Sequence, residues 1–353
     1  MRILFDSSVT DFDRGGTSRY VAALLPRLRE LGAPVEEVSM QGTWRWSSRL
    51  PRAARVLLHD LAWVPRGSVL LGRARGASLY HGAGFKVPPR APFRTSVTIH
   101  DDTPWDNPPT ARLYNREYMR RVMQMAAPHL AGAITSTETT AAAILARLPS
   151  LAGRLHVTPW GVDHRVFRPR PQGEIDRAMA AAGVAAPYAL LVSPYGPRKN
   201  AATMLKSLGM ARDAAPGLTV LVVGRHDEPG DDPLPVVRCG RVGDDQLAAL
   251  YSGAEFLVYA SLKEGFGLPV LEALGCGCPA IVSEHSVLQE IGGDGVLAVD
   301  PTSAQAIAEA GRGLLTDRSA RDVLLTRGLA HSARYTWEET ARLSIQAWEK
   351  MVS

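Results

Sequence analysis

Two carboxylates stand out because their surroundings suit a phosphate and the hydroxyls of a sugar. Glu264 and Glu272 flank a Gly-Phe-Gly loop and the start of a short apolar helix in the string EGFGLPVLEALGCGCP (264–279). Proline in the first turn and glycine just past the end are typical of a helix start and stop. The N–H groups of such a loop and helix N-terminus attract an anion, and carboxylates accept strong hydrogen bonds from hydroxyls.

Two cations follow another strand-like run. The string SPYGPRKN (193–200) comes directly after YALLVS, and Arg198 and Lys199 precede a helix expected to begin near Asn200. Positive side chains at the carboxyl end of a parallel strand, beside a helix N-terminus, fit a clamp for a diphosphate. An ordinary basic helix cap is the alternative interpretation.

Weaker signals lie in the first half of the chain. Gly15 and Gly16 open an amphipathic helix, and glycine there lets the backbone approach a phosphate closely. His81 and His100 each end a strand-like run, and Asp101 follows, so these three are candidates for contact with a sugar or an acceptor. A plain turn, hydrogen-bonded structural histidines and a solvated Asp101-Asp102 loop are the alternatives.

Strand-like runs alternate with helical patterns, which predicts parallel sheets built from βαβ units. The predicted strands cover 2–6, 78–82, 95–101, 132–136, 155–161, 188–193, 218–224, 255–261 and 279–283. The predicted helices cover 18–31, 113–126, 137–148, 201–213, 244–254, 269–274 and 303–315. Ligands of such sheets bind outside the carboxyl ends of the strands, where the motifs above lie.

The charge distribution predicts two domains. Residues 1–170 carry 24 Lys and Arg against 13 Asp and Glu, which gives a net charge of +11. Residues 171–353 carry 16 against 22, which gives a net charge of −6. We expect an α/β protein with two doubly wound, Rossmann-like domains facing a central cleft. The predicted boundaries are an N-terminal domain at 1–168, a linker at 169–186, a C-terminal domain at 187–335 and a terminal helix at 336–353.

Several classes of protein are excluded. With 46% hydrophobic and 21% charged residues among 353, the chain is globular rather than disordered. No apolar run approaches the roughly 18 residues of a spanning helix, and MRILFDSSV is typical of a first strand rather than a signal peptide, which predicts a cytoplasmic protein. The three cysteines form neither a disulfide framework nor a zinc site. A G-x-G-x-x-G fingerprint and a Walker A loop are both missing, which argues against NAD and ATP.

The Glu-x7-Glu spacing, with its glycines, proline and apolar positions, resembles the retaining family-4 glycosyltransferases of the GT-B fold, the glycosyl transferases group 1. The resemblance is weakest over 32–77. It extends through PWGVD (159–163), GRVGDDQLAALYSGAEFLVYASLKEGFG (240–267), SEHSVLQEI (283–291) and TWEETARLSIQAW (336–348). It implies an acceptor-binding N-terminal domain, a nucleotide-sugar-binding C-terminal domain and a terminal helix that packs back on the first domain.

The resemblance also implies roles for individual residues. Glu264 would lie beside the donor sugar ring, Glu272 would bind the ribose, and Lys199 would bind the diphosphate. Gly16 would contact the diphosphate across the cleft, and His100 would lie near the donor sugar and the acceptor.

As sets, the predicted catalytic residues are Glu264, His100, Lys199 and Arg198. The predicted donor-binding residues are Gly15, Gly16, Arg198, Lys199, Glu264, Gly265, Phe266, Gly267, Leu268 and Glu272. The predicted acceptor contacts are His81 and Asp101. Many family members carry an arginine five residues before the lysine; Pro194 stands there in this chain, and Arg198 is the candidate replacement.

The chemistry implied is transfer of a hexose from a nucleotide-diphosphate sugar on one face of the sugar, with the leaving phosphate taking the acceptor proton. No cofactor and no divalent metal are expected; there is no Asp-x-Asp signature, and Asp231-Asp232 fits a solvated loop. The Pro-Arg-Lys-Asn pattern (197–200) favours GDP-mannose, while UDP- and dTDP-sugars stay open because base selectivity depends on residues 224–243. The acceptor is a glycan, a lipid-linked molecule or a small molecule. Two alternatives stay open: a non-catalytic nucleotide- or glycan-binding protein and a sugar phosphorylase-like enzyme, both of the same fold.

One segment of the basic half suits a membrane surface. Residues 44–76 combine three tryptophans with eight arginines or histidines, which predicts peripheral contact with an anionic membrane holding a lipid-linked acceptor. Pro51 and Pro65 should break this segment, so we expect a helix and loop around the first sheet rather than one long interfacial helix. No nucleic acid is expected as a partner, because the basic and aromatic residues form no known binding pattern.

Overall fold

Each of two units is built on one parallel six-stranded sheet. The computed structural model describes residues 1–11, 15–88, 90–106, 113–224 and 235–353, without the side chains of 113–115. One unit comprises Met1–Gly161 and Trp337–Ser353, and the other comprises Val162–Thr336. The α/β class with two doubly wound sheets is therefore confirmed.

In the first unit the strand order is β2-β1-β3-β4-β5-β6. The strands are β1 (Ile3–Asp6), β2 (Val35–Val38), β3 (Leu79–Gly82), β4 (Arg94–Thr98), β5 (Gly132–Thr135) and β6 (Leu155–Val157). The helices are α1 (Gly16–Glu30), α2 (Met40–Thr43), α3 (Arg52–Leu58), a π-helix (His59–Gly67), α4 (Ser68–Arg75), α5 (Leu113–Ala126) and α6 (Glu138–Arg147). Strands β1, β3 and β5 are wholly buried, as expected of a parallel sheet covered by helices.

In the second unit the strand order is β12-β11-β10-β7-β8-β9. The strands are β7 (Tyr188–Val192), β8 (Thr219–Val223), β9 (Val236–Gly240), β10 (Phe256–Tyr259), β11 (Ala280–Ser283) and β12 (Val296–Val299). The helices are α7 (Gln172–Ala182), α8 (Ala201–Ala211), α9 (Asp244–Gly253), α10 (Leu268–Gly275), α11 (Val287–Gly292), α12 (Ala304–Thr316) and α13 (Arg318–Ser332). The strand order reverses direction between β7 and β10, and such a switch point opens a crevice for a ligand.

The last helix of the chain, α14 (Trp337–Val352), completes the first unit. Its Trp348 is fully buried, and the indole N–H donates to His81 Nδ1 at 3.2 Å. The Arg94 guanidinium donates to the Met351 carbonyl at 2.6 Å. A Cβ on Gly132 would lie 2.8 Å from both the Arg154 carbonyl oxygen and the Met351 side chain, so glycine fits best where α14 approaches β5.

Two differences from the expected elements have physical reasons. The segment predicted as a linker, 169–186, contains α7, which packs on α9 inside the second unit because Ile175 and Ala178 are buried. Strand β2 was missed because its sequence, VEEV, has two adjacent glutamates and so no apolar–polar alternation; such charges are a usual protection of a sheet edge. Strands β9 and β12 and helix α13 were also missed.

The expectation that Pro65 breaks the segment after Pro51 is wrong. Pro51 is the N-cap of α3, but the backbone continues as a helix through the π-helix into α4, without a break from Arg52 to Arg75. A proline cannot donate the hydrogen bond of a regular α-helix, and a π segment changes the pairing locally. Pro65 lies inside that segment.

The burial of Trp348 makes α14 decisive for the stability of the first unit. We expect Trp348→Ala to lower the free energy of unfolding by about 3–5 kcal/mol, because it leaves a large cavity. All seven tryptophans belong to the first unit, so their fluorescence during urea unfolding reports on that unit. Trp46→Ala, at a position 56% exposed, is the matched control and should cost under about 1 kcal/mol. Equal losses for both variants would contradict this role of α14.

Candidate functional site

The loop after β7 is held in one unusual conformation. Ser193, Gly196 and Asn200 have φ values of 48°, 132° and 62°, in the left-handed region that most side chains avoid. The Asn200 side-chain amide stabilises the turn by donating to the carbonyls of Ala260 and Pro301, at 2.9 and 2.7 Å. These bonds attach the loop after β7 to the end of β10.

The same attachment brings Lys199 and Glu264 together. The Lys199 ammonium lies 2.6 Å from Glu264 Oε1 and donates to the Tyr259 hydroxyl at 2.9 Å. Their side chains are 22% and 10% exposed, so the pair is screened from bulk water yet still reachable. Two predicted residues, 65 positions apart in the chain, thus form one charged group at the carboxyl ends of β7 and β10.

Tyr259 is a member of this group that the sequence analysis missed. It is the last residue of β10 and is 4% exposed, and the Lys199 ammonium also lies 5.1 Å from its ring centroid. Burial, followed by the charge of Glu264, raises the pKa of the Tyr259 phenol well above its usual value. The phenol therefore stays neutral and holds Lys199 by a hydrogen bond. An aromatic residue at the end of a strand is the only sequence signal that points to it.

The loop before α10 packs tightly against its own unit. Gly267 is the N-cap with φ 99°, and a Cβ at this position would overlap the Leu288 side chain. Phe266 and Leu268 are buried, which fixes the backbone on both sides of the glycine. Of the predicted donor-binding loop, Gly265 is half-buried. These contacts fix the shape of the loop.

Glu272 is far less accessible than Glu264. Its side chain lies within α10 and is 2% exposed, and Oε2 accepts a hydrogen bond from the Tyr251 hydroxyl at 3.5 Å. Burial, and next the charge of Glu272, raises the pKa of Tyr251 well above its usual value. The charge of Glu272 also raises the pKa of Tyr259, so the phenol of Tyr259 lies close enough to both glutamates to feel their charges.

Arg198 and Pro194 differ in their surroundings. Arg198 is half-buried, and its charge opposes the rise in the pKa of Tyr259, so its guanidinium acts on the group formed around Lys199. Its carbonyl accepts from the N–H of Leu262 at 2.8 Å. Pro194 is buried.

Of the predicted residues in the first unit, the two glycines are exposed to solvent, whereas the others are buried or half-buried. Gly15 and Gly16 are exposed at the start of α1, where Gly15 is an extended N-cap. His100 is 7% exposed, with Nε2 2.8 Å from the Ala83 carbonyl oxygen. Asp101 is half-buried, and its carboxylate accepts the N–H of Thr103 at 2.9 Å.

His81 requires a correction, because the structure gives it no surface that an acceptor could reach. It lies within β3, is 0% exposed, and its Nδ1 accepts the indole N–H of Trp348. Because indole can only donate, the imidazole proton is on Nε2, which lies 3.0 Å from the Thr98 hydroxyl. Burial, and next the charge of His100, lowers the pKa of His81 to about 3. His81 is a structural residue that connects β3, β4 and α14.

Some predicted features fall outside the described residues. Residues 225–234 of the predicted base-selective stretch, with Asp231-Asp232, belong to this part. Among the residues that the structure describes, no group of three or more His, Cys, Asp or Glu side chains is arranged to hold a metal ion. No helix in the described ranges combines the length and apolar character needed to cross a membrane.

The sequence of the second unit matches one family model. Residues 174–328, most of the second unit, match the family model described as Glycosyl transferases group 1. This match confirms the resemblance of the second unit to the glycosyl transferases group 1.

Individual relatives extend this assignment. The chain is 40% identical to O-antigen chain mannosyltransferase B of Escherichia coli over 28% of its own length and 26% of that protein. It is 27% identical to MMP alpha-(1->4)-mannosyltransferase of Mycolicibacterium hassiacum over 70% of its length and 60% of that protein. Sucrose-phosphate synthase of Thermosynechococcus elongatus has the same fold, with a TM-score of 0.75 at 21% identity over 99% of this chain and 98% of that one. The matched region thus spans about a quarter of the length of the first sequence relative and about three fifths of the length of the second.

The neutral, buried imidazole of His81 makes the first unit sensitive to acid. Its pKa of about 3 lies below the usual 6.5, so the unfolded state binds the proton more readily between these values. We expect stability to be retained above pH 6.5 and to fall below it, by up to about 1.4 kcal/mol per pH unit. His81→Gln should flatten this dependence between pH 6 and 4 in tryptophan-detected urea unfolding. His129→Gln, at an exposed position, should keep it; an unchanged slope in His81→Gln would exclude His81 as its source.

Proposed function

We propose that the protein is a retaining glycosyltransferase that moves a hexose from a nucleotide-diphosphate sugar to an acceptor. One observation carries the proposal. The Lys199 ammonium and the Glu264 carboxylate lie 2.6 Å apart at the switch point of the second sheet, beside the loop that opens α10. A cation for phosphate and a carboxylate for hydroxyls thus occupy the place where such sheets bind ligands.

The charges suit departure of a diphosphate. As the bond to the sugar breaks, negative charge grows on the leaving phosphates, and cations already in position stabilise that change most. Lys199 and Arg198 supply positive charge, and the N–H groups at the start of α10 supply partial charge. In the free protein Glu264 neutralises Lys199. A bound diphosphate would take over Lys199 and release Glu264 to accept hydrogen bonds from the donor sugar.

Retention of configuration follows in this proposal from reaction on one face of the sugar. The leaving phosphate takes the proton of the acceptor hydroxyl, so no side chain has to act as the base. The protein's contribution is to hold the sugar and stabilise the phosphates, and its own cations perform the task that a divalent metal would otherwise have. The roles of Gly15, Gly16 and His100 remain predictions from the resemblance.

The donor in this proposal is GDP-mannose, with a glycan or a lipid-linked glycan as the acceptor. The Pro-Arg-Lys-Asn pattern supports a mannosyl donor, as do the mannosyltransferase names of the two sequence relatives. The second unit would bind the donor and the first would bind the acceptor.

Nucleotide binding tests the donor site directly. We expect millimolar GDP to raise the melting temperature of the second unit, because a ligand that binds only the folded state stabilises it by mass action. Scanning calorimetry is the suitable measurement, since tryptophan fluorescence reports only on the first unit. UDP, dTDP and ADP compare the bases, and NAD is the control.

Each outcome of the calorimetry has a distinct meaning. A rise in melting temperature with UDP or dTDP alone would support the donor site but would assign it to a uridine or thymidine nucleotide instead of a guanosine nucleotide. A shift with inorganic phosphate but with no nucleoside diphosphate would favour the phosphorylase-like alternative. A nucleotide shift without turnover of any nucleotide sugar would favour a binding protein.

Lys199 should be the largest single contributor to the clamp. We expect Lys199→Ala to lower kcat/KM for the donor by about 10²–10³-fold, the usual effect of removing one preorganised charge-stabilising group. Lys206→Ala is the matched control, because Lys206 is exposed on α8, the helix that follows Lys199, and should change kcat/KM by less than about twofold. Equal activity of the two variants would remove Lys199 from the mechanism.

A further inference from the structure

A cavity of about 310 Å³ lies at the outer edge of the first sheet, where residues of α6, β6 and α14 line it. We call it the β6-edge cavity. Its volume is at the lower end of the range of small-molecule sites. Ala141 and Leu145 of α6 and Leu343 of α14 form its apolar wall. The whole cavity belongs to the first unit, apart from the candidate donor site.

The strand side of the β6-edge cavity contains a buried hydroxyl that lacks a partner. Thr158 directly follows β6, and its N–H donates to the Thr135 carbonyl at 2.7 Å, so the chain is still paired with β5 there. Thr158 lines the cavity and is 1% exposed, yet its hydroxyl has no hydrogen-bond partner among the described residues. Such a group is costly to bury, which points to a partner that enters the cavity.

Two basic groups also line the β6-edge cavity. His156 is two positions before Thr158, so their side chains lie on the same face of the extended chain. Burial, and next the charge of Lys350 on α14, lowers the pKa of His156 below its usual value. Neither basic side chain has a hydrogen-bond or ion-pair partner within the part of the chain that the structure describes. An anion would relieve their repulsion. Glu138, exposed on α6, is the one acid among the described lining residues.

The edge of the sheet adds backbone donors. Strand β6 is the last strand of the sheet, and both Arg154 and Thr158 bond to β5 through their backbones. Alternate residues of a strand direct their N–H groups to opposite sides. The N–H groups of Leu155 and Val157 therefore point to the outer edge, where both residues line the β6-edge cavity.

We propose that the β6-edge cavity binds a small ligand that carries a phosphate group. Lys350 and His156 would pair with its charge, and the Thr158 hydroxyl would donate to one of its oxygens. A phosphate has an oxygen for each of these three donors, whereas a carboxylate has only two. An apolar ligand would leave all three unpaired, and a cation would add to the repulsion. Free phosphate and a phosphate ester share this chemistry, and Glu138 would accept a hydroxyl of an ester.

The titration of the His156 imidazole tests binding at this place. The full chain, labelled with ¹³C-histidine, is followed by NMR between pH 5 and 8, and His156→Gln assigns the signal. We expect millimolar inorganic phosphate, at constant ionic strength, to raise the pKa of His156, because a bound anion stabilises the imidazolium. The signal of His129, at an exposed position, is the internal control and should not respond. No response of His156 would overturn the proposal.

Variants of the lining residues separate binding from folding. Lys350→Gln should weaken phosphate binding by roughly tenfold, because a charged hydrogen bond is lost. Arg147→Gln, at an exposed position of α6 that does not line the cavity, removes the same charge and should bind phosphate like the natural chain.

Thr158→Val removes only the hydroxyl. It should weaken phosphate binding by roughly two- to tenfold and yet keep or raise the urea midpoint seen by tryptophan fluorescence, because no hydrogen bond within the described residues depends on that hydroxyl. A lower midpoint with unchanged phosphate binding would give the hydroxyl a purely structural role and would contradict the proposed site.

Two further comparisons identify the source of the phosphate and exclude the donor site. Tighter binding of glucose 6-phosphate than of inorganic phosphate would assign the β6-edge cavity to a phosphate ester, and equal binding would assign it to free phosphate. A response of His156 to glucose but not to phosphate would overturn the proposal. Lys199→Ala should leave the response of His156 to phosphate intact. Its loss in that variant would place the phosphate at the donor site instead.

Discussion

The candidate donor site depends on one constraint, that β7 and β10 lie side by side. Parallel strands present their carboxyl ends at the same edge, so the loop carrying Lys199 and the loop carrying Glu264 must meet there. Asn200 strengthens the meeting by bonding to the carbonyls of Ala260 and Pro301. If these two strands were not neighbours, Lys199 and Glu264 would remain separate surface charges.

The partial burial of the Lys199–Glu264 pair determines how much the pair contributes to the stability of the fold. Removing a charge from water is costly, so a buried ion pair stabilises a fold only when its hydrogen bonds are well made. Here the Tyr259 hydroxyl gives Lys199 a second acceptor, and the charge of Arg198 reduces the effect of the nearby carboxylates. The site is therefore internally balanced before substrate arrives. Under the proposed function, a diphosphate would have to displace the Glu264 carboxylate from Lys199, which favours a ligand carrying more than one negative charge.

The sequence predicted this site better than it predicted the elements around it. The glycines, proline and charges of 264–279 and 193–200 are local patterns, and helix α10 begins within one residue of its predicted start. Tyr259 was missed because its hydroxyl matters only once β7 and β10 are adjacent. His81 was misjudged because it lies within β3, where its side chain faces a helix that comes 256 or more residues later in the chain. The effect of Pro65 was misjudged because helix rules do not anticipate a π segment.

The chain enters the second unit after Gly161 and leaves it at Thr336, and the only part of the first unit that follows is α14. Val162 donates its N–H to the Tyr335 carbonyl at 3.0 Å, so the entering and leaving segments are paired within the second unit. During synthesis, all residues of the second unit are added to the chain before Trp348. The first unit must therefore keep the place for α14 open until the whole second unit has been synthesised. Its six strands are all made by Val157, yet the helix that packs on β4 and β5 is made only after the second unit.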